Sequence, residues 1–425
     1  MFDVLIVGGG AAGFYAAIHA AEADANLKIG ILERGKEVLA KVKVSGGGRC
    51  NVTHAEFNPN ELVKNYPRGE KELLGPFHTY CSGDTVAFFE DRGVPLKIEE
   101  DGRMFPISNS SQDIIDCFLK ETARLGIQVL KHSSVVNILP DEIEHKKVWQ
   151  VTSIKKVYYC EKLLVASGSN PKIWKMLEKL GHSIEPPVPS LFTFNIKDDR
   201  IKGIPGLSTE ACVEVLPNKM YQPKISIQLR SQVVEKALLV AEGPLLITHW
   251  GMSGPAILKL SAWGANLLHE LNYKFRIRIN WLPDYHPQSI IDLLFEIKEV
   301  EAKRTVLRTK AVDIPRRLWT NLVRASGIPE DMKWADTTRP LLQNLADQLT
   351  QAEFNVDGKS TFKEEFVTAG GVTLKEINFK TFESKLHSNL FFAGEVVNVD
   401  AITGGFNFQN AWTGGYIAAQ GIVKK

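Results

Sequence analysis

The chain has few cysteines, no long apolar run and almost no net charge. Its five cysteines are odd in number and form no C-x-x-C pair, which argues against a disulfide framework, a redox dithiol and a zinc site of paired cysteines. Lysine and arginine together number 51 and the acidic residues 49, so no global field attracts nucleic acid or an anionic membrane. The longest apolar candidate, residues 236–251, is interrupted by Glu242, Gly243 and Pro244, whereas a membrane span needs ~18 apolar residues.

These absences favour an ordinary globular enzyme of two or three domains, since 44% of the 425 residues are hydrophobic. The short apolar run Val4 to Val7 lacks the basic flank and the length of a secretory signal. We therefore expect a cytoplasmic protein, monomeric or homodimeric, with a small-molecule substrate, no nucleic-acid partner, no membrane and no metal.

What the sequence does contain is a dinucleotide-binding pattern at its start. A buried strand is predicted over Phe2 to Val7, followed by G-x-G-x-x-G, an alanine-rich helix and a second strand that ends in Glu33. The helix amino terminus offers free N–H groups to a pyrophosphate, and a carboxylate after the second strand can bind a ribose. A glycine-rich turn without function is the alternative. The expected contacts are Gly8, Gly10, Ala11, Ala12, Gly13, Glu33 and Arg34.

Two further glycine-rich segments favour FAD over NAD. One covers 45–48, where a dehydrogenase would continue with βαβ units. In the other, an apolar strand at 390–393 is followed by Gly394 and Glu395, and Gly404 and Gly405 open a helix. In split dinucleotide-binding folds such a strand lies beside the first strand, and the helix directs its positive end at the flavin pyrimidine. The other expected cofactor contacts are Lys41, Ser45, Gly46, Gly47, Gly48, Arg49, Cys50, Asn51, Val135, Ala166, Ser167, Gly168, Gly394, Glu395, Asp400, Gly404, Gly405, Phe406 and Asn407.

Candidate catalytic side chains are few. His249 is a candidate general base near the flavin ring, and a histidine that orders the loop is the preferred interpretation. Cys50 is a candidate redox thiol or flavin neighbour, and a small, inert packing residue is the preferred interpretation. Arg49 and Lys41 either contact flavin or phosphate oxygens or form ordinary surface ion pairs.

Several motifs resemble one family in order along the chain: "KVKVSGGGRCNVT" at 41–53, "GRMFPIS" at 102–108, "EGPLLITHWGMSGPAIL" at 242–258 and "FFAGEVVNVDAITGGFNFQNAWTGGY" at 391–416. The chain is similar to the BaiN-like, aminoacetone-oxidase-like family of NAD(P)/FAD-dependent oxidoreductases. This resemblance implies a flavoprotein enzyme with FAD as its cofactor.

The expected fold is α/β: a split FAD/NAD(P)-binding Rossmann-like domain with an inserted β-barrel-like domain and a small helical domain. Short strand-like runs such as "EACVEVLP" and "ISIQLR" indicate the insertion, and helical periodicity follows them. The predicted segments are 1–190 and 356–425 for the FAD-binding domain, 191–281 for the β-rich domain and 282–355 for the helical domain.

The predicted function is hydride transfer between a small organic substrate and flavin N5, with NAD(P)H or O₂ as redox partner. No second G-x-G-x-x-G follows a strand, so NAD(P)H is expected only as a transient co-substrate. An alternative is a flavin-binding protein that acts on or beside RNA through a basic segment at 303–324, which has seven basic residues and one acidic residue, Asp313. A solvated helix face is the simpler explanation of that segment. A plain NAD-dependent dehydrogenase is a third hypothesis.

Overall fold

The computed structural model describes residues 1–217, 237–360 and 367–424. The chain divides into two compact units, Met1–Ser190 with Lys363–Lys425, and Leu191–Phe362. In the second unit the β-rich and helical segments share one hydrophobic cluster. The three predicted domain boundaries stay predictions, and the strand expected over "ISIQLR" (225–230) lies outside the described residues.

The first unit begins with alternating strands and helices and continues with runs of each. Its strands are Phe2–Val7, Ile29–Leu32, Thr53–His54, Leu96–Ile98, Arg103–Pro106, Gln128–Leu130, Val135–Ile143, Lys146–Ser153, Val157–Val165, Ile184–Ser190, Val367–Val372, Ile377–Asn378, Glu383–Ser384 and Leu390–Phe392. Its α-helices are Ala11–Ala23, Ala40–Gly48, Pro59–Leu62, Glu70–Thr79, Ser82–Glu90, Ser111–Arg124, Pro171–Lys179 and Phe406–Val423, and its 3₁₀ turns are Val63–Asn65 and Leu374–Glu376.

A nine-stranded sheet is the centre of this unit. Its parallel part has the strand order Leu390–Phe392, Val157–Val165, Phe2–Val7, Ile29–Leu32 and Gln128–Leu130. Helices cover both faces of such a sheet, so its strands are apolar throughout rather than alternating. This burial explains why the first strand could be recognised from its sequence.

The structure corrects one expected neighbour. The strand Leu390–Phe392 does not lie beside Phe2–Val7, because Val157–Val165 lies between them and pairs in parallel with both. A hairpin with Lys146–Ser153 delivers this intervening strand to the sheet. Order along a sheet depends on such packing and not on the sequence motif. All three strands nevertheless end at the same edge.

The first and last helices pack on each other through small residues. A Cβ on Gly415 would lie 2.8 Å from the carbonyl oxygen of Ala12, so any larger residue would separate the two helices. Below this contact the rings of Tyr15 and Trp412 are 5.1 Å apart and fully buried. The two ends of the sequence are therefore joined by a close-packed core.

The second unit contains a seven-stranded sheet in which each pair of neighbouring strands is antiparallel. Its strands are Thr193–Asn195, Ser208–Val215, Leu239–Ile247, Gly251–Ser253, Lys274–Asn280, Ala352–Asp357 and Lys359–Ser360. Its α-helices are Pro255–Trp263, Ala265–Glu270, Pro287–Val300, Arg316–Ala325 and Arg339–Thr350, with 3₁₀ turns at Val306–Arg308 and Trp334–Asp336.

The two edges of this second sheet are neighbours in the chain. Ala352–Asp357 is one edge and Lys359–Ser360 the other, separated by Gly358 in the left-handed region at φ +101°. A closed barrel stays a prediction. Among the described residues of both units, no helix combines the length and the apolar character needed to cross a membrane.

Candidate functional site

The parallel strands of the first unit bring four predicted segments to one sheet edge. The N–H of Gly8 donates to the carbonyl of Leu32 at 2.9 Å, and the N–H of Ala166 donates to that of Val7 at 2.9 Å. Gly394 follows the parallel strand Leu390–Phe392, and a Cβ on Gly394 would lie 3.2 Å from the side chain of Ala12. Ligands of open α/β sheets bind at this carboxyl edge.

The amino terminus of the helix Ala11–Ala23 has the properties of a phosphate site. Its first turn has no acidic residue, and its N-cap residue is Gly10, which has no side chain that could occupy the first N–H groups. A Cβ on Gly10 would meet no atom of the described residues within 4 Å apart from its chain neighbours, whereas one on Gly13 would lie 2.1 Å from the carbonyl oxygen of Gly8. Gly13 thus permits close packing, and Gly10 leaves open space beside the helix N–H groups, which fits a pyrophosphate.

Glu33 is held in place by the backbone around the same turn. Its Oε2 accepts from the N–H of Gly9 at 3.0 Å and its Oε1 from the N–H of Gly35 at 2.7 Å. A carboxylate has further acceptor capacity on both oxygens, so ribose hydroxyls can still bind. Arg34 beside it is exposed. Val135 is buried two residues beyond Ser133, whose N–H donates to the Glu33 carbonyl at 2.7 Å.

The second glycine segment forms a left-handed turn. The helix Ala40–Gly48 loses its helical geometry at Ser45, and Gly46, Gly47 and Gly48 follow with φ of +57°, +68° and +85°. In the part of the chain that the structure describes, only neighbours along the chain lie within 4 Å of a Cβ placed on Gly47 or Gly48. Exposed N–H groups in such turns bind anions or the edge of a planar ring.

Two predicted cations have carboxylate partners in the protein. Arg49 donates from Nη1 to Glu99 at 2.6 Å and stacks 4.0 Å from the centroid of the Phe105 ring. Lys41 forms an ion pair with Glu395. Glu395 in turn is 3.6 Å from a Cβ placed on Gly168, which follows Ser167 in the turn after the central strand. Lys41 and Arg49 thus hold segments of the site together.

Asn51 joins the second glycine segment to the last helix. With the amide oriented so that both of its atoms are paired, Oδ1 accepts from the N–H of Gly405 at 3.0 Å and Nδ2 donates to the carbonyl of Thr53 at 3.1 Å. The helix Phe406–Val423 starts directly after Gly404 and Gly405, without a side-chain cap or an early acidic residue. Its positive end is therefore available to a ligand.

Two predicted contacts use their side chains inside the protein. Asn407 donates to the Ala401 carbonyl at 3.1 Å and accepts from its N–H at 3.0 Å. Asp400 is fully buried and forms an ion pair with Arg68. Burial raises the pKa of Asp400, although Arg68 opposes this. Both side chains shape the loop before the last helix.

Cys50 is completely buried and has a left-handed backbone at φ +60°. Burial raises the pKa of its thiol to about 12, although a hydrogen bond with Ser45 opposes this. A thiol with this pKa is almost entirely protonated at neutral pH and a poor nucleophile. The environment favours the packing role, and a catalytic role for Cys50 stays a prediction.

His249 belongs to the second unit. It lies, exposed, in the turn between the strands Leu239–Ile247 and Gly251–Ser253. Its catalytic role stays a prediction. All the other predicted site residues belong to the first unit.

Sequence reasoning missed several residues of this region. The ring of His54 stacks on Phe406 at 4.6 Å, and its Nε2 donates to the carbonyl of Asp101 at 3.1 Å. Arg68 and Ser190 were missed because no motif links them to Asp400. Phe105 lies inside the "GRMFPIS" motif, which was a usable signal.

The parallel strands of the nine-stranded sheet, with the uncapped amino terminus of the helix Ala11–Ala23 directly after the first of them, define a dinucleotide-binding protein. The chain belongs to the family described as HI0933-like protein Rossmann domain, whose model matches residues 2–421. The resemblance drawn from the motifs is confirmed, and the fold is an α/β FAD-binding Rossmann-like fold.

Three relatives match over almost their whole length. Ribosomal RNA dihydrouridine synthases of Haemophilus influenzae and Escherichia coli are 27% and 26% identical, each over 99% of this chain and 98% of theirs. The 3-dehydro-bile acid delta(4,6)-reductase of Clostridium scindens is 24% identical over the same shares. The chain is thus a flavin-dependent oxidoreductase, as expected. The expectation of no nucleic-acid partner conflicts with the names of the first two relatives.

Among solved structures, the 3-ketosteroid delta1-dehydrogenase of Sterolibacterium denitrificans is 10% identical, with a TM-score of 0.50 over 100% of this chain and 99% of that one. At this identity the likeness concerns the fold alone.

Proposed function

We propose that this protein is a flavin-dependent reductase that acts on RNA and converts uridine to dihydrouridine. The observation that carries the proposal is the full-length similarity to two relatives named as ribosomal RNA dihydrouridine synthases. The alternative formulated from the sequence, action on RNA, is thus favoured over a free small-molecule substrate.

The residues of the first unit fit FAD. The open space at Gly10 and the N–H groups of the first helix suit the pyrophosphate, and the Glu33 carboxylate suits the adenosine ribose. The left-handed turn at 46–48 and the amino terminus of Phe406–Val423 suit the isoalloxazine, since a positive helix end stabilises negative charge on its pyrimidine side. Reduced FAD held by these residues would supply the hydride for the C5=C6 bond of uracil, and a proton on the other carbon would complete the addition.

The basic segment of the second unit is the proposed RNA contact. Its seven basic side chains are all exposed: Lys303, Arg304, Arg308, Lys310, Arg316, Arg317 and Arg324. Three of them have carboxylate partners, Arg304 with Glu301, Lys310 with Asp313 and Arg324 with Glu330. Exposed ion pairs of this kind contribute ~0–1 kcal/mol and exchange readily for phosphates.

The other four basic side chains, Lys303, Arg308, Arg316 and Arg317, have no ion pair with any residue of the described ranges. The helix Arg316–Ala325 buries Leu318, Trp319, Leu322 and Val323 and leaves its arginines outside. Trp319 is a core residue and does not serve as a stacking platform. Phosphate contacts from the arginines would position the RNA without reading its sequence.

The test is direct. The purified holoprotein is incubated with NADH or NADPH and an unmodified ribosomal RNA transcript, and the nucleosides are analysed by mass spectrometry. A gain of two hydrogens on uridine is the expected result. Anaerobic bleaching of the flavin by one of the two nicotinamides identifies the reductant.

A second candidate function is the reduction of a conjugated enone in a small apolar molecule, favoured by the bile acid reductase relative. A panel of steroid enones in the same assay separates the two. Reduction of an enone with no change to RNA would replace the proposed function by this one.

A further inference from the structure

A buried ion pair links the cofactor segment of the first unit to the point where the chain leaves that unit. Arg68 contacts both carboxylate oxygens of Asp400, through Nε to Oδ1 and Nη2 to Oδ2. Ser190 completes the arrangement, since its Oγ donates to Oδ2 of Asp400 at 2.8 Å. Asp400 and Ser190 have no exposed surface, and the Arg68 side chain is 14% exposed.

The backbone around this ion pair is also joined. Arg68 and Asp400 form an isolated antiparallel bridge, and the N–H of Ile402 donates to the carbonyl of Asn65 at 3.0 Å. A Cβ on Gly69 would lie 2.7 Å from the Val399 side chain, so the two segments are in close contact. The loop before the last helix is thus held against the segment 65–69.

Ser190 has a special place in the chain. It is the last residue of the first unit before the chain enters the second. It pairs with Val367 in the antiparallel ribbon of Ile184–Ser190 and Val367–Val372. The far end of this ribbon touches the cofactor segment too, since the N–H of Val372 donates to the carbonyl of Val396 at 3.0 Å.

We propose that Asp400 is a positioning residue, which through Arg68 and Ser190 sets the geometry of the cofactor segment Gly394–Phe406 relative to the ribbon. This inference rests on the proposed placement of FAD at that segment. The alternative, direct contact between Asp400 and FAD, was the expectation from the sequence.

Two features favour positioning. Both carboxylate oxygens already have strong partners, and breaking one partner of a buried pair leaves the other charge uncompensated. The loop runs from Asp400 through Ala401 to the start of the last helix. The side chain of Asn407, in that helix, hydrogen-bonds both the N–H and the carbonyl of Ala401. A displacement of Asp400 would therefore move the Gly404–Gly405 turn and the helix amino terminus behind it.

The experiment compares Asp400→Asn, Arg68→Lys and Ser190→Ala with the wild-type holoprotein. Each variant is measured for FAD affinity by fluorescence of released flavin, for the visible spectrum, for the flavin midpoint potential and for thermal stability of the apoprotein. Glu61→Gln, which breaks the exposed ion pair with Lys64, is the matched control. None of these measurements needs RNA.

All three variants are expected to bind FAD more weakly than the wild type and to have an altered visible spectrum and midpoint potential. Asp400→Asn should bind FAD most weakly, with an affinity about tenfold or more below that of the wild type. Asp400→Asn combined with Ser190→Ala should bind no more weakly than Asp400→Asn alone, because both act through one network. The control should match the wild type.

Two results would overturn the inference. One is a loss of affinity in Asp400→Asn with wild-type behaviour of Arg68→Lys and Ser190→Ala, since Asp400 would then contact the cofactor itself. The other is wild-type affinity and spectrum in all three. If Asp400→Asn fails to fold, the FAD affinity and spectrum of Ser190→Ala test the inference, because this variant removes only one hydroxyl. A wild-type protein that binds FAD but leaves RNA unreduced would refute the proposed function and leave this inference testable.

Discussion

The side-chain oxygen of Asn51 accepts a hydrogen bond from the N–H of Gly405 at 3.0 Å. This bond joins the second glycine segment to the amino terminus of the last helix, two regions near opposite ends of the sequence. The ion pair between Lys41 and Glu395 makes a second connection of the same kind. The proposed isoalloxazine site is built where these two regions meet.

Gly10→Val should abolish retention of FAD and leave the fold unchanged. Among the described residues, only chain neighbours lie within 4 Å of a Cβ at Gly10, so there is room for the side chain, which would take the space of the pyrophosphate. We expect at least about 100-fold weaker binding, a loss of ~3 kcal/mol. Gly75→Val, also in open space, is the control. Full cofactor content in purified Gly10→Val would show that the phosphates bind elsewhere.

Glu33→Gln should weaken FAD binding by about 10- to 100-fold, because a charged acceptor of ribose hydroxyls is lost. Titration of the apoprotein with FAD measures the change. Glu37→Gln removes an exposed carboxylate that pairs with Lys43 at 3.3 Å and should have no effect. Equal affinities for FAD in Glu33→Gln and the wild type would show that Glu33 does not bind the cofactor.

Arg316→Ala with Arg317→Ala should weaken RNA binding most at low salt. Removing one phosphate-binding side chain reduces the slope of log affinity against log salt by about 0.7 to 0.9 units, so the double variant should have a slope smaller by about one to two units. The measurement is fluorescence anisotropy with labelled ribosomal RNA at several salt concentrations. Lys172→Ala with Lys175→Ala, exposed on a helix of the first unit, is the control. An unchanged slope would place the RNA-binding surface elsewhere.

Cys50→Ala should keep FAD and reductase activity within about twofold, because burial holds the pKa of the thiol at about 12 and leaves almost no thiolate at neutral pH. Alanine retains the packing of a small residue. Flavin content and turnover of the variant check this. Loss of turnover with FAD still bound would instead establish a chemical role for the thiol.

His19→Phe should flatten the dependence of stability on pH in the acid range. Burial, helped by Arg92, lowers the pKa of His19 from 6.5 to about 3. Below about pH 6.5 the unfolded chain therefore binds a proton that the folded chain does not, and the free energy of unfolding falls as the pH falls toward 3. Between pH 6.5 and 5 this loss is up to about 2 kcal/mol.

Phenylalanine can pack in the same place, because the ring of His19 lies 4.7 Å from Tyr15 and 5.2 Å from Phe88. Chemical denaturation of both proteins at pH 7 and pH 5 makes the comparison. Identical losses of stability on acidification would mean that His19 is not the group responsible.

Local patterns predicted the first βαβ unit well. The strand Phe2–Val7 has the predicted bounds, and the helix Ala11–Ala23 and the strand Ile29–Leu32 follow in the expected order. The reason is that a strand buried on both faces is apolar throughout and that a tight turn to a helix needs glycine. Local patterns did not predict the order of the strands in the sheet, because the position of Val157–Val165 between two other strands depends on packing.

The sequence by itself determined the first strand–helix–strand unit of this protein and its family, because apolar runs, glycine turns and motifs are properties of short segments. Only the tertiary structure decided that the carboxylate of Asp400 binds Arg68 and Ser190, and that Cys50 is sealed from solvent. Burial and long-range partners depend on chain segments far apart in sequence, and these set the pKa and the free hydrogen-bonding capacity of a side chain. A residue type in a motif therefore names a possible chemistry, and its surroundings determine which role it has.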